Sequence, residues 1–162
     1  MRIMRSPILF LCFCSLLVAG CGRRSSSGPS AFQMRLVEAS PSAETEPMTT
    51  DISLSDPTGP SAETLNVRRD VLLDGGEVVS ADVRSQEPPI VEITFTDAGR
   101  KALADITRQN IGRRLGIVVG GRLITAPRIE AELATGKAWI TGRMTLAQAR
   151  ELATKITAGV KR

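Results

Sequence analysis

The chain of 162 residues contains no histidine and no tyrosine, and it has three cysteines. Histidine is the commonest metal ligand and the general base used most often, so its absence weighs against most zinc sites and most hydrolase mechanisms. Aromatic residues make up 3% of the chain, whereas nucleic-acid-binding proteins usually combine a dense basic patch with aromatic side chains. We therefore expect a protein that is not an enzyme, binds no nucleic acid and needs no metal or other cofactor.

The sequence also lacks a long hydrophobic run. Its most apolar segment, residues 8–19, is shorter than the stretch of about 20 residues that a membrane-spanning helix needs. A basic start with Arg2 and Arg5, a short apolar run and small residues before a cleavage site are typical of a signal peptide. Because Cys21 directly follows Ala and Gly, the segment resembles the lipobox of bacterial lipoproteins. We expect cleavage before a lipidated Cys21; an uncleaved anchor or an ordinary signal peptide is the alternative.

This processing would leave no free thiol, since Cys12 and Cys14 would be removed and Cys21 would be acylated. The net charge of +4 is unevenly distributed. Residues 25–64 contain six acidic residues and one basic residue, whereas residues 65–162 contain eleven acidic and sixteen basic residues. The charge pattern thus separates an acidic segment from a mildly basic one.

Composition divides the chain into five segments. Residues 1–20 are the expected lipoprotein signal peptide, and residues 21–31 are a lipidated tether rich in Ser, Gly and Arg. Residues 32–38 alternate apolar and polar side chains, which predicts a strand. Residues 39–64 have little apolar surface and predict a disordered acidic linker, and residues 65–162 predict the folded domain. The strand either joins the domain's sheet across the linker, which we favour, or lies outside the fold.

The clearest structural pattern lies at residues 111–127, with the sequence IGRRLGIVVGGRLITAP. Gly112 can end a preceding helix in a left-handed conformation. Gly120 and Gly121 can supply the positive φ angles of a primed hairpin turn between two apolar strands. Both faces of this hairpin carry apolar residues, so we expect it inside a sheet with at least one covered face. The expected pairs across the turn are Val119 with Arg122, Val118 with Leu123, and Ile117 with Ile124.

Further elements follow from periodicity and capping signals. Strands are predicted at residues 78–84, 90–96 and 138–144, with another short one at 129–133. One helix should begin at Thr96 or Asp97 and continue to Ile111. A second should follow the capping-box spacing of Thr145 and Gln148. The sequence therefore predicts an α+β fold with a largely antiparallel sheet and two helices packed on one face.

Four stretches resemble the protein-export subunits SecD and SecDF: residues 95–102 (FTDAGRKA), 107–118 (TRQNIGRRLGIV), 121–127 (GRLITAP) and 140–145 (ITGRMT). They look like the head subdomain of the first extracytoplasmic domain of those proteins, and the resemblance covers about residues 65–159. It implies the head fold, a place on the outer side of the cytoplasmic membrane and, by the role attributed to that head, contact with emerging polypeptide. Gly120 replaces the usual Asp of the turn, and Trp139 stands where a polar residue is common.

Two groups of residues are candidates for binding. Arg113, Arg114 and Arg122 belong to a basic set that forms either a solvated surface or a rim for anionic lipid or an acidic polypeptide segment. Trp139, the single tryptophan, should face away from Ile140, either as a core residue at a sheet edge or as an exposed contact residue. We name Trp139, Arg113, Arg114 and Arg122 as the expected partner-binding residues.

A catalytic set of Glu92, Asp97 and Asp105 is also conceivable, but helix capping and the helix dipole explain Asp97 better. No catalytic residue is therefore assigned.

The sequence predicts a lipid-anchored binding or accessory module on the extracytoplasmic side of the inner or outer membrane. Its expected partners are the membrane, through lipid on Cys21, and unfolded exported polypeptide or components of the translocase. The alternative is a structural envelope lipoprotein that self-associates or scaffolds another envelope protein.

Overall fold

A computed structural model describes residues 30–50, 62–158 and 160. The expected signal peptide, most of the tether and Cys21 lie outside these residues. The strands are β1 (Phe32–Glu38), β2 (Thr45–Thr49), β3 (Thr64–Arg68), β4 (Leu73–Asp74), β5 (Val78–Arg84), β6 (Ile90–Phe95), β7 (Arg114–Val119), β8 (Arg122–Thr125) and β9 (Lys137–Ile140), and the helices are α1 (Asp97–Gln109) and α2 (Leu146–Thr157).

The strands form two antiparallel sheets. The first sheet has the order β2-β3-β1-β7-β8, with β4 pairing beside β3 on the same side of β1, and the second sheet has the order β5-β6-β9. A short 3₁₀ turn, Gly75–Glu77, connects β4 to β5. The α+β class, the antiparallel strands and the two helices are confirmed. The strands differ from the expectation in dividing between two sheets.

The strand expected at residues 32–38 is β1, which lies in the middle of the first sheet. It pairs with β7 on one side and with β3 and β4 on the other. Phe32 and Met34 are almost completely buried. This strand therefore belongs to the fold.

The expectation of a disordered linker over residues 39–64 was wrong for its described part. β2 lies within it and pairs with β3 over five residues, and Thr45 is buried. The strand has few apolar side chains, but backbone hydrogen bonds to β3 hold it, and Met48 packs against a small core cluster. Pro47 is accommodated because β2 is an edge strand. Residues 51–61 lie outside the described residues.

Other parts of the protein cover both faces of β7, as expected from the apolar residues on both faces of the hairpin. Ile117 packs into the main core, whereas Val118 packs with Val67 and Leu123 in a second, smaller cluster. The first sheet curves so that its edge strand β2 approaches β8, and this curvature encloses the smaller cluster.

The turn between β7 and β8 has the expected geometry, with φ angles of 58° at Gly120 and 77° at Gly121. The pairs Val119 with Arg122 and Val118 with Leu123 are confirmed. The third expected pair was wrong, because a β-bulge places Ile117 opposite Thr125. The bulge adds one residue to β8, and Ile117 and Ile124 both lie in the main core.

The two helices lie against the apolar face of the second sheet, since Leu103 of α1 and Ile156 of α2 join Ile93 of β6 in the main core. The Thr96 hydroxyl caps α1, and Thr145 and Gln148 form the expected capping box of α2. Neither helix in the described residues combines the length and the hydrophobicity that a membrane crossing requires.

One expected strand is absent, and the ends of two other elements differ from the expectation. Residues 129–133 form no strand; the segment is held by backbone bonds such as that from Ile129 N to Arg113 O. β9 ends at Ile140, since the chain then turns towards α2, with Met144 N bonded to Gly142 O. α1 likewise ends at Gln109, two residues before the expected end.

Candidate functional site

Among the residues that the structure describes, no helix packs on one face of the second sheet, which is called the outer face here. Side chains alternate along a strand, so Val91, Ile93 and Phe95 of β6 point into the core, while the residues between them point outward. On β9, Ile140 is fully buried and Trp139 is 64% exposed. The outer face comprises Ser80, Asp82 and Arg84 of β5, Ile90, Glu92 and Thr94 of β6, and Lys137 and Trp139 of β9.

Trp139 is exposed and at the same time fixed in position. It lies directly opposite Glu92 in the β6–β9 register, and its indole Nε1 donates a hydrogen bond of 3.0 Å to Glu92 Oε2. The other carboxylate oxygen accepts hydrogen bonds from Arg84, at 2.8 Å, and from Lys137 Nζ, at 3.0 Å. The indole N–H is therefore satisfied within the protein, and the apolar surface of the ring remains available to a partner.

The electrostatics of this cluster follow from the same contacts. Hydrogen bonds from Trp139, Arg84 and Lys137, in that order of effect, lower the pKa of Glu92 to about 2. Hydrogen bonding and attraction to Glu92 in turn raise the pKa of Arg84 above its ordinary value. Glu92 is thus ionised at neutral pH and holds two cations and one indole on the outer face.

Two of the expected binding arginines lie at the start of β7, Arg113 directly before the strand and Arg114 as its first residue, and both have partners within the protein. Arg113 bonds to Glu38 at the end of β1 and, at 2.9 Å, to the side-chain oxygen of Asn110. Arg114 donates from Nε to Ala126 O at 2.8 Å and from Nη1 to Glu63 at 2.9 Å. These arginines thus connect the start of β7 to β1 and to segments beside the first sheet.

The third arginine, Arg122, begins β8 directly after the glycine turn. Its charge acts on Glu151 of α2, whose pKa is lowered first by a hydrogen bond from Lys155 and further by Arg122. Arg122 is therefore close to a helix that packs on the opposite side of the second sheet from Trp139.

The three carboxylates considered as a catalytic set, those of Glu92, Asp97 and Asp105, have separate roles in the structure. Glu92 is engaged on the outer face, Asp97 is highly exposed in the first turn of α1, and Asp105 bonds to Arg108 on the same helix. The part of the chain that the structure describes contains no group of three or more acidic or cysteine side chains placed to hold a metal ion.

Arg84, Glu92 and Lys137 were missed as neighbours of Trp139. They come from three strands, and their contact depends on the register of those strands. The alternation within each strand was the available signal, because Glu92 and Trp139 each lie beside a residue that belongs to the core.

Comparison with known proteins gives consistent matches to one protein family. The family model described as SecDF, P1 head subdomain, matches residues 49–160. The protein translocase subunit SecD of Desulfurispirillum indicum is 37% identical over 94 residues, covering 56% of this chain and 18% of that protein. The SecDF subunit of Thermus thermophilus is 44% identical over 71 residues, covering 44% of this chain and 10% of that protein.

Solved structures agree with these matches. A structure of SecDF described as a membrane component that enhances protein export is similar with a TM-score of 0.59 and 28% identity, over 81% of this chain and 63% of that one. SecDF in a super-membrane-facing form is similar with a TM-score of 0.61 and 28% identity, over 81% of this chain and 19% of that one. The chain spans less than a fifth of the length of these curated relatives.

Proposed function

The chain belongs to the SecDF P1 head subdomain family, and from this we propose that it is a non-enzymatic accessory module of protein export. The resemblance to the SecD head is thereby confirmed. The module would contact unfolded exported polypeptides or components of the export machinery. The family relationship supports this role, since the curated relatives are translocase subunits and one related structure is described as enhancing protein export.

The observation that carries the proposal is the exposed indole of Trp139 on the outer face. Large aromatic side chains are usually buried, and tryptophan is among the residues that contribute most to binding energy at protein interfaces. Here the ring is 64% exposed while its N–H is bound to Glu92. Such an anchor offers apolar contact area without leaving a polar group unsatisfied when a partner covers it.

The second part of the proposal concerns location. Residues 1–20 would be a lipoprotein signal peptide, and lipid on Cys21 would hold the module at the extracytoplasmic side of a membrane. The lipobox-like sequence before Cys21 supports this anchoring. A tether of about ten Ser- and Gly-rich residues would span on the order of 18 Å, so the head would stay close to the membrane that holds the lipid.

In this proposal some of the expected binding residues contact the partner, and others stabilise the fold. Trp139 is the contact residue, with Lys137 and Arg84 beside it. We assign Arg113 and Arg114 to the fold, because their side chains are committed to partners within the protein.

Binding of an unfolded polypeptide to the purified full-length chain tests the proposal. The probe is a reduced and carboxymethylated model protein, which cannot refold. Trp139→Ala should weaken its binding by about 1–3 kcal/mol, as expected for an aromatic hot spot. The melting temperature should fall by a few degrees at most, because the ring is mostly exposed and the main loss is its hydrogen bond to Glu92. Ile111→Ala is the matched control, since Ile111 is 57% exposed and lies beyond the end of α1.

Equal binding by the wild type and the Trp139→Ala variant would contradict the proposal. Capture of further copies of the chain, with no capture of unfolded polypeptide or translocase components, would instead favour a structural lipoprotein that self-associates.

A further inference from the structure

We infer that the free edge of β9 binds an extended polypeptide segment as an additional antiparallel strand of the second sheet. The segment would place an apolar side chain beside Trp139 and an acidic side chain beside Lys137. This inference rests on the proposed function and specifies its site and its selectivity.

The first step is the availability of the edge. In the second sheet β9 pairs with β6 on one side, and among the described residues no strand pairs with its other side. Lys137 and Trp139 are both exposed. An unpaired, accessible strand edge presents backbone donors and acceptors that an extended chain can use.

The second step is the direction of the backbone groups. Phe95 N donates to Gly136 O at 3.0 Å, and the register places Thr94 opposite Lys137. Phe95 and Gly136 are therefore a hydrogen-bonded pair, and such pairs alternate with non-hydrogen-bonded pairs along an antiparallel ladder. Lys137 and Trp139 fall at the non-hydrogen-bonded positions. Their N–H and C=O groups consequently point away from β6, towards the free edge.

The third step joins backbone and side-chain recognition. The two residues whose backbone groups face the free edge are also the two residues of β9 whose side chains lie on the outer face. A segment bonded to Trp139 and Lys137 would place two of its own side chains, separated by one residue, directly beside theirs. In an antiparallel segment the neighbour of Trp139 comes first and the neighbour of Lys137 comes second.

The charge at the start of β9 favours an acidic side chain at the second of these two positions of the incoming segment, beside Lys137. The start of β9 is cationic: Lys137 lies on the outer face, and the aliphatic part of Arg100 packs so closely against Gly136 that a Cβ there would come within 3.0 Å of it. Two anions lie near this edge: Asp97 forms an exposed ion pair with Arg100 at 3.7 Å, and Glu92, set back on β6, is already bonded to Arg84, Lys137 and Trp139. An acidic side chain on the incoming segment would complement this edge, and opposite charges across strands are stabilising.

A second copy of the chain fits this edge poorly. Two β9 strands would bring two Lys137 side chains to the interface, and β9 itself contains no acidic residue. Four residues also extend over only about 13 Å. A stable dimer usually buries on the order of 1,200 Å² or more, so this edge suits a short, transient peptide contact.

Backbone methylation of a peptide tests the inference directly. The parent probe is a Ser/Thr-rich peptide with Leu and, two residues later, Glu. One derivative carries N-methyl groups on the amides of the Leu and the Glu, which should face β9, and the other carries them on the flanking alternate residues. Because Trp139 is the single tryptophan, its fluorescence reports binding at this edge.

The first methylated peptide should bind at least about tenfold more weakly than the parent, since it loses hydrogen bonds at an aromatic anchor. The second should bind about as well as the parent. A peptide with Leu and Glu exchanged, and one with Lys in place of Glu, should both bind severalfold more weakly than the parent.

Two results would count against the idea and can be told apart. If unfolded polypeptide binds in a Trp139-dependent way but both methylated peptides bind like the parent, strand pairing is wrong while the proposed function stands. If neither the peptides nor the unfolded model protein bind, the proposed function itself fails.

Discussion

Trp139 and Glu92 face each other across β9 and β6, and the indole N–H of one is bonded to the carboxylate of the other at 3.0 Å. This contact fixes an exposed aromatic ring on a surface where a free side chain would sample several rotamers. Ordering a side chain on binding costs free energy, so a ring that is already ordered binds at a lower entropic cost. The pair thus connects the antiparallel register of the second sheet to the proposed contact residue.

Replacement of Glu92 should reveal how the cluster responds to pH. The pKa of Glu92 is lowered to about 2 in the folded protein, from about 4.3 in an unfolded chain. Its contribution to stability is therefore complete above the unfolded value and is lost as the pH falls from there towards 2. The melting temperature of Glu92→Gln should lie below that of the wild type at pH 7, and the difference should narrow through this acidic range.

Asp70 and Glu151 also have lowered pKa values, but both residues are present in the wild type and in Glu92→Gln. Their effects therefore cancel in the difference between the two melting temperatures.

Trp139→Phe provides a second comparison. It removes the hydrogen bond with the largest effect on Glu92, so the pKa of Glu92, followed by NMR, should rise. If the melting temperatures of the wild type and of Glu92→Gln changed in parallel with pH, the cluster would not stabilise the fold.

Elements with local signals were predictable from the sequence. Gly120 and Gly121 define the hairpin turn, and the hydroxyls of Thr96 and Thr145 define two helix starts, because each signal acts on the neighbouring backbone. The bulge opposite Ile117 was not predictable in this way. Neither glycine nor proline marks it, since the extra residue of β8 is Ile124, an ordinary apolar strand residue.

Elements held by distant partners could not be read from local composition. β2 carries a polar sequence with a proline, and its order depends on pairing with β3 and on contacts such as that between Arg35 and Glu46. The outward position of Trp139 followed from its alternation with Ile140. Its neighbours, however, required the register of three strands.

In the glycine turn of the β7–β8 hairpin, the cost of a substitution should depend only on how readily the new residue adopts a positive φ angle. Gly121 has a φ of 77°, and a Cβ added there would meet no atom of the described residues within 4 Å. Gly121→Val should therefore lower the free energy of unfolding by about 1–2 kcal/mol, the cost of a left-handed conformation. Gly120→Asn should be much milder, since asparagine adopts this conformation readily. Urea denaturation measures both, and equal losses in the two variants would contradict a purely conformational origin.

Lipid anchoring makes a separate prediction in the cell. Cys21→Ser should abolish labelling with a radioactive fatty acid and move the protein out of the membrane fraction, because stable anchoring needs more than one acyl chain. Cys14→Ser is the matched control, since it changes a cysteine within the apolar run and should leave labelling intact. A Cys21→Ser variant that stays in the membrane fraction would mean that the apolar run or a partner holds the protein.

Arg114 should contribute to stability and leave binding unaffected. Its guanidinium joins β7 to Ala126 O at 2.8 Å and to Glu63 at 2.9 Å. Hydrogen bonds to charged groups are worth more than neutral ones, but both side chains are more than a third exposed, which weakens the ion pair. Arg114→Ala should therefore lower the free energy of unfolding by about 1 kcal/mol. Arg150→Ala, at an exposed position of α2, should change it little.

The arginine variants also separate the fold from the binding site. Arg114→Lys keeps the charge but lacks the Nε donor to Ala126, so its stability should fall between those of the wild type and Arg114→Ala. Both Arg114 variants should bind the unfolded model protein like the wild type, because Trp139 lies on the other sheet. Weaker binding by Arg114→Ala at unchanged stability would instead place Arg114 on the binding surface, as its position in a basic segment first suggested.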